Sequence, residues 1–234
     1  MLGRVHRPSA GTLSAGWPTG PPRPPAPTAA VHIWRAELDA PGWPGAERLP
    51  AAERERTAAI LRPEPARRWI ASRWALREVL GRYLGEDPAA IALRAREHGK
   101  PELAELPGRL DFNLSHSAGL ALVAVTVGRP VGVDVERIDP DRDLLALAER
   151  GLDPEEAAAV RAAAPGTERA SHFYAAWVRR EALVKCLGGG LGNPAPAEPV
   201  ALLSLEPGKG YAAALAAAGS QTPVQRHYSV GPRR

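Results

Sequence analysis

One stretch limits the folds open to this chain more than any other: residues 111–137, DFNLSHSAGLALVAVTVGRPVGVDVER. Residues 119–127 form a near-continuous apolar run rich in Val, Leu and Ala, the pattern of a strand covered on both faces. Gly128-Arg129-Pro130 supplies a turn, and residues 131–135 return as a second apolar strand, so the stretch reads as a β-hairpin. Ser115-His116-Ser117 enters its first arm, and Asp134 and Glu136 close its second. Residues i and i+2 of a strand share a face, so the two carboxylates project together. Asp is depleted in strands and an unpaired buried carboxylate is costly, so this placement calls for a compensating cation. A divalent metal is the simplest one.

The 234 residues suffice for one substantial domain or two small halves. No apolar run approaches the ~18 residues of a membrane span. The N-terminus lacks a basic segment followed by an apolar core, which argues against a secretory signal and for a cytoplasmic protein. A single cysteine, Cys186, excludes an internal disulfide framework. A formal charge of +4 without a basic stripe argues against nucleic acid. Only three of the 30 basic residues are lysine, and two of them, Lys100 and Lys185, fall inside candidate motifs. In a chain that otherwise uses Arg, those positions suggest a need for a compact ammonium.

Residues 1–30, rich in Pro, Gly, Ala, Ser and Thr, read as a disordered leader. Residues 31–38 alternate as a first strand, and helices follow over 49–61 and 65–84, broken near Pro63. The second helix has an apolar stripe of Trp69, Ile70, Trp74, Leu76, Val79, Leu80 and Tyr83, with Arg67, Arg68, Arg73 and Arg77 on its other flank. That flank reads as solvated surface or, in part, as an anion contact. A short strand over 91–97 leads to His98-Gly99-Lys100-Pro101, a turn holding a cation. Helices are expected over 144–150 and 154–164, the latter with Asp153 as N-cap and Pro154 at the first helical position. The longest helix, 167–187, stops at three glycines. A final hairpin joins 200–205 to 211–218, and 219–234 read as a flexible basic tail. Strand–helices–strands order occurs twice, which suggests two similar halves: an N-terminal one over 31–127 and a C-terminal one over 128–218 carrying the metal site.

A third carboxylate candidate, Glu181, stands four residues before Lys185 on the long helix and shares its face. An exposed salt bridge is the plain reading of such a pair, set against partial burial implied by Trp177 one turn earlier. Two strand carboxylates and one helix carboxylate make a hard oxygen site suited to magnesium held together with substrate phosphates. The same pattern serves nucleases, polymerases and transferases. Ser115-His116 does not read as a hydrolase pair: adjacent residues rarely face one substrate atom, and no G-x-S-x-G elbow is present. A capping Ser beside a core-edge His is one reading; a phosphate contact, with Lys100 and Arg73 adding charge, is the other.

Taken together, HGKPEL (98–103), FNLSHS (112–117), GVDVE (132–136) and WVRREALVK with its following glycines (177–190) resemble the 4'-phosphopantetheinyl transferase superfamily in its single-chain, two-half (Sfp-type) form. Residues 66–85 also resemble that family's early helix, so the resemblance covers about 31–218. It implies an α+β fold of two similar subdomains related by a pseudo-twofold axis, with the active site in the cleft between them and a monomer in solution. It implies Mg²⁺-dependent (or Mn²⁺-dependent) transfer of phosphopantetheine from coenzyme A to a serine of an apo acyl or peptidyl carrier protein, of the holo-[acyl-carrier-protein] synthase type, with 3',5'-ADP leaving. By match to the motifs, Asp134, Glu136 and Glu181 would hold the metal and Lys185 the phosphates. His116, Ser115, Lys100 and Arg73 would meet the nucleotide end with its 3'-phosphate, and Glu181 or a metal-bound water would take the serine proton.

Two positions depart from that pattern. Arg180 stands where the family usually has Lys, and only LGNPAPAEP separates the glycines from the last hairpin, which points to a shortened C-terminal half. Two other functions fit the residues: a metal-dependent phosphodiesterase or nuclease using the same carboxylates, and a non-catalytic relative that binds CoA or a carrier domain.

Overall fold

The computed structural model describes residues 16–95, 99–188 and 199–233. Among these residues, nine strands form two principal sheets and a small ribbon. The first sheet contains β1 (Ala30–Glu37), β4 (Asp111–Ser117), β5 (Leu120–Thr126) and β9 (Val224–Val230) in the order β4-β5-β1-β9. The second contains β6 (Val131–Arg137), β7 (Val200–Leu205) and β8 (Tyr211–Ala218) in the order β6-β8-β7. β2 (Leu93–Ala95) and β3 (Pro101–Leu103) pair with each other. Five α-helices accompany them among the described residues: α1 (Ala51–Ala58), α2 (Pro63–Leu84), α3 (Leu144–Gly151), α4 (Pro154–Ala162) and α5 (Thr167–Leu187).

Side-chain alternation stacks these elements in layers. Trp34 and Ala36 of β1 and Val123 and Val125 of β5 pack with Ala71, Ala75, Leu76 and Val79 of α2. The opposite parity, Val31, Ile33, Leu120, Leu122 and Ala124, faces Val131, Val133 and Val135 of β6 and Leu215 of β8. The far face of the second sheet receives Val178, Ala182 and Cys186 of α5 against Ala214 and Ala216. The order is thus α2, first sheet, second sheet, α5, with α3 and α4 packed beside α5. Strands whose two faces are both covered must be apolar throughout, which explains the unbroken run of β5.

The expected hairpin between 119–127 and 131–135 does not form. β5 pairs with β4 and β1, whereas β6 pairs with β8, so the two consecutive strands lie in different sheets. Apolar faces on both sides carry no register information, and Pro130 has no N–H to start a ladder. The hairpin that does form is β4–β5, turning at Ala118 (φ 48°) and Gly119.

The tail expected over 219–234 is also different: β9 lies parallel to β1 from Ala30↔Val224 to Ala36↔Val230 and covers what would otherwise be an exposed edge. The described part of the leader is likewise tied down. Gly20 N–H donates to Ser229 O, Arg82 donates to Gly20 O and Pro21 O, and Trp17 stacks on His227 with ring centroids 4.5 Å apart. Asp153 precedes α4 as expected but makes no side-chain cap bond. The segment 191–198, where a shortened sheet was expected, lies outside the described residues.

Candidate active site

β4 divides the site by parity. Asn113, Ser115 and Ser117 face β6, the edge strand of the second sheet, whose outward N–H groups have no backbone partner there. Val133 N–H donates to Asn113 Oδ1 (2.9 Å), Val135 N–H to Ser115 Oγ (3.3 Å) and Arg137 N–H to Ser117 Oγ (3.1 Å). Side-chain oxygens at i, i+2 and i+4 thus replace a missing strand and join the two sheets at one edge. The other parity, Phe112 and Leu114, packs toward α2. His116 leaves β4 on that side.

The carboxylates hang from the same ladder. Ser115 Oγ donates to Asp134 Oδ1 (2.8 Å) and Ser117 Oγ to Glu136 Oε2 (2.7 Å). Lys185 Nζ, reaching over from α5, donates to Asp134 Oδ1 at 2.6 Å and to Ser115 Oγ at 3.1 Å. Asp134 and Glu136 do project together, as the i, i+2 spacing requires. Burial raises the Glu136 carboxyl above the ordinary carboxylate range, against the Ser117 bond, and the neighbouring Asp134 charge pushes the same way.

α5 lies close on β6 because Gly132 has no side chain: a Cβ there would meet Ala182 O at 2.1 Å and Cys186 N at 2.4 Å. Cys186 also donates to Pro130 O, so the end of α5 sits at the start of β6. Stepping back one helical turn from Lys185 therefore carries Glu181 toward Glu136. Lys100 Nζ donates to Val131 O (2.7 Å) and to the backbone carbonyl of Lys185 (3.1 Å), bracing that junction.

On the α2 side, Arg73 donates through Nε and Nη2 to Glu53 Oε1 (2.9 and 2.6 Å), while the fully buried Arg77 donates to Glu53 Oε2 and to Pro88 O and Ile91 O. Surrounding protein, then the charges of Lys185 and Arg73, hold the solvent-facing His116 imidazole below its ordinary range. Glu53 is the residue the sequence reading missed; an acidic residue on a short helix with no buried positions carries no signal of its own.

No three His, Cys, Asp or Glu side chains among the described residues converge into a set that could by itself hold a metal ion. The donor set nonetheless suits one. Asp134 is 2% exposed, and its Oδ2 is buried without a hydrogen-bond partner, a costly state that a cation beside the strand would relieve. With Glu136 next to it, this is the hard-oxygen pair that a magnesium ion retaining waters and substrate phosphate needs. A groove of about 380 Å³ lies elsewhere, between residues 38–45 and the start of α2, and none of the candidate residues line it.

Comparison with known proteins decides the family. Residues 130–229 match the 4'-phosphopantetheinyl transferase superfamily. The chain is 37% identical over 184 residues to the 4'-phosphopantetheinyl transferase HetI of Nostoc sp., covering 76% of this chain and 77% of that protein. The chain belongs to the 4'-phosphopantetheinyl transferase superfamily. Other relatives in this transferase family include a putative 4'-phosphopantetheinyl transferase of Synechocystis sp. (32% identical, covering 76% of this chain and 75% of that protein) and a 4'-phosphopantetheinyl transferase of Bacillus subtilis (31%, covering 70% and 73%). The mixed α+β layering accords with membership. No helix among the described residues is long and apolar enough to cross a membrane.

Proposed function

We propose that this protein transfers the 4'-phosphopantetheine moiety of coenzyme A to a serine of an apo carrier protein in a Mg²⁺-dependent reaction. Family membership supports the transfer, and the observation that carries the metal is the orphaned, buried Asp134 Oδ2 beside Glu136 and Lys185. In the reaction the serine oxygen forms a bond to the β-phosphorus of CoA, the bond from that phosphorus to the bridging oxygen breaks, and 3',5'-ADP departs with the electron pair. Such a transfer needs positioning and charge neutralisation more than a protein nucleophile.

Asp134 and Glu136 would hold the metal ion, joined from α5 by Glu181. When bound, the ion supplies charge neutralisation on the pyrophosphate. Lys185 reaches the same point from α5 and stabilises the charge that develops on the leaving oxygen. His116 and Arg73, on the α2 side of β4, meet the nucleotide end and its 3'-phosphate, and Ser115 keeps Asp134 and Lys185 in register. Lys100 supports Lys185 indirectly, by fixing the end of α5. Glu181, a half-buried carboxylate one turn before Lys185 on α5, would receive the serine proton. The two-half arrangement, action as a monomer and the holo-[acyl-carrier-protein] synthase subtype belong to the same proposal. The subtype is its narrowest part, because the relatives' names specify the phosphopantetheinyl transfer and not one carrier class.

A CoA thiol-linked fluorophore tests the reading. Apo carrier domains incubated with the labelled CoA, Mg²⁺ and this protein should acquire covalent fluorescence and release 3',5'-ADP in equal amount. Release of 3',5'-ADP without labelling would favour a phosphodiesterase, and binding of labelled CoA without either product would favour a non-catalytic relative.

A further inference from the structure

We propose that Ser117 is a positioning residue for Glu136: its hydroxyl determines which carboxylate oxygen faces a divalent cation. The inference rests on the metal-assisted reading above. Ser117 Oγ accepts the Arg137 N–H at 3.1 Å and donates to Glu136 Oε2 at 2.7 Å. A hydroxyl carries one proton. With its lone pair engaged by the main chain of β6, that proton is directed at the carboxylate, so the strand bearing Glu136 also aims the donor that holds it. Oε2 is thereby occupied, and Oε1 keeps its lone pairs for a ligand.

The neighbouring rung shows why Glu136 depends on Ser117 more than Asp134 depends on Ser115. Ser115 repeats the unit, accepting from Val135 N–H and donating to Asp134 Oδ1. Asp134, however, also receives Lys185 Nζ at 2.6 Å, so two donors hold it. Among the described residues Ser117 is the one hydrogen-bond donor to Glu136. The first rung is an internal control: Asn113 accepts the Val133 N–H and touches neither carboxylate. Loss of Asn113 weakens the seam between the sheets without releasing a ligand.

The test measures Mn²⁺ binding to the full chain in the presence of CoA, read from the electron paramagnetic resonance signal of the free ion, with CoA binding in EDTA measured alongside. Loss of a hydrogen bond that orients a metal ligand typically weakens the metal about tenfold or more. Ser117→Ala should show that loss, Ser117→Thr should stay near the native value because it keeps the hydroxyl, and CoA binding in EDTA should be unchanged in both. Asn113→Ala, where folded, should keep native Mn²⁺ affinity despite a lowered unfolding midpoint; if it does not fold, the Ser117 pair decides. Native affinity in Ser117→Ala, equal weakness in Ser117→Thr, or equal weakness in folded Asn113→Ala would overturn the proposal. Failure of the unaltered protein to take up Mn²⁺ with CoA would overturn the metal reading itself.

Discussion

The Lys185 ammonium lies 2.6 Å from Asp134 Oδ1, across the contact between α5 and β6, and the carboxylate is almost wholly buried while the lysine keeps 29% of its side-chain exposure. This pair fastens the helix carrying Glu181 to the strand carrying Glu136, so the geometry of the site and the stability of the second sheet share one interaction.

Removing the lysine leaves the Asp134 charge buried without compensation. Lys185→Met should therefore destabilise the metal-free protein by about 2 kcal/mol, less than a fully buried pair because the lysine is partly solvated. Urea unfolding in EDTA measures it. Combining it with Asp134→Asn should cost less than the sum of the two changes, with a coupling of about 1 kcal/mol. Additive effects would show that the contact contributes nothing.

Gly132 permits the close approach of α5. A Cβ would sit 2.1 Å from Ala182 O and 2.4 Å from Cys186 N, and backbone atoms cannot swing aside as a side-chain end can. Gly132→Ala should cost about 3 kcal/mol and shift α5 away from β6. Its Mn²⁺ affinity should fall as well, since Lys185 and Glu181 move with the helix. A variant with native stability would contradict the close packing.

His32 on β1 sets an acid limit. Burial, followed by the charge of Arg226 on β9, pushes its pKa down to about 4 from 6.5, and its Nδ1 lies 2.7 Å from Tyr83 Oη of α2 with the Tyr228 ring edge-on. Between those values the unfolded chain binds the proton that the folded one refuses. The His32 contribution is therefore intact above about pH 6.5 and is lost as pH falls toward 4, by at most about 3 kcal/mol at about 1.36 kcal/mol per pH unit. Urea midpoints across this range should fall further for the native protein than for His32→Gln. Parallel curves would contradict this role.

The described leader is structural. Deleting residues 1–22 removes the stacking of Trp17 on His227 and the two carbonyls that hold Arg82, and uncovers the Trp34 ring against which Gly20 packs. Loss of these contacts should lower stability by about 1–3 kcal/mol, seen as a lower thermal midpoint. An unchanged midpoint would support the disordered leader expected from composition.

The parts legible in the sequence were those with a strong local period or stop. α5 runs over the expected 167–187 and ends on Gly188 at φ 68°, the left-handed conformation that glycine adopts freely. β7 and β8 occupy the expected ranges, and Asp134 and Glu136 share a face as their spacing requires. The strand β4 was missed because its polar residues are its function: Asn113, Ser115 and Ser117 satisfy the N–H groups of β6 where a strand pattern would place apolar side chains. β9 was missed because Val224–Val230, an edge strand with one buried residue, carries almost no apolar alternation. Sheet membership of β5 and β6 was illegible because pairing is decided by distant partners, β1 and β8, and not by the turn that joins them.

Intact-mass analysis of an apo carrier protein, after incubation with this protein, CoA and Mg²⁺, addresses the central claim most directly. The account predicts a gain of one phosphopantetheine per carrier, abolished by EDTA and reduced at least about a hundredfold in rate by Asp134→Asn, since the metal-bearing carboxylate is lost. No gain across acyl and peptidyl carrier domains, or a gain that persists undiminished in EDTA, would contradict it.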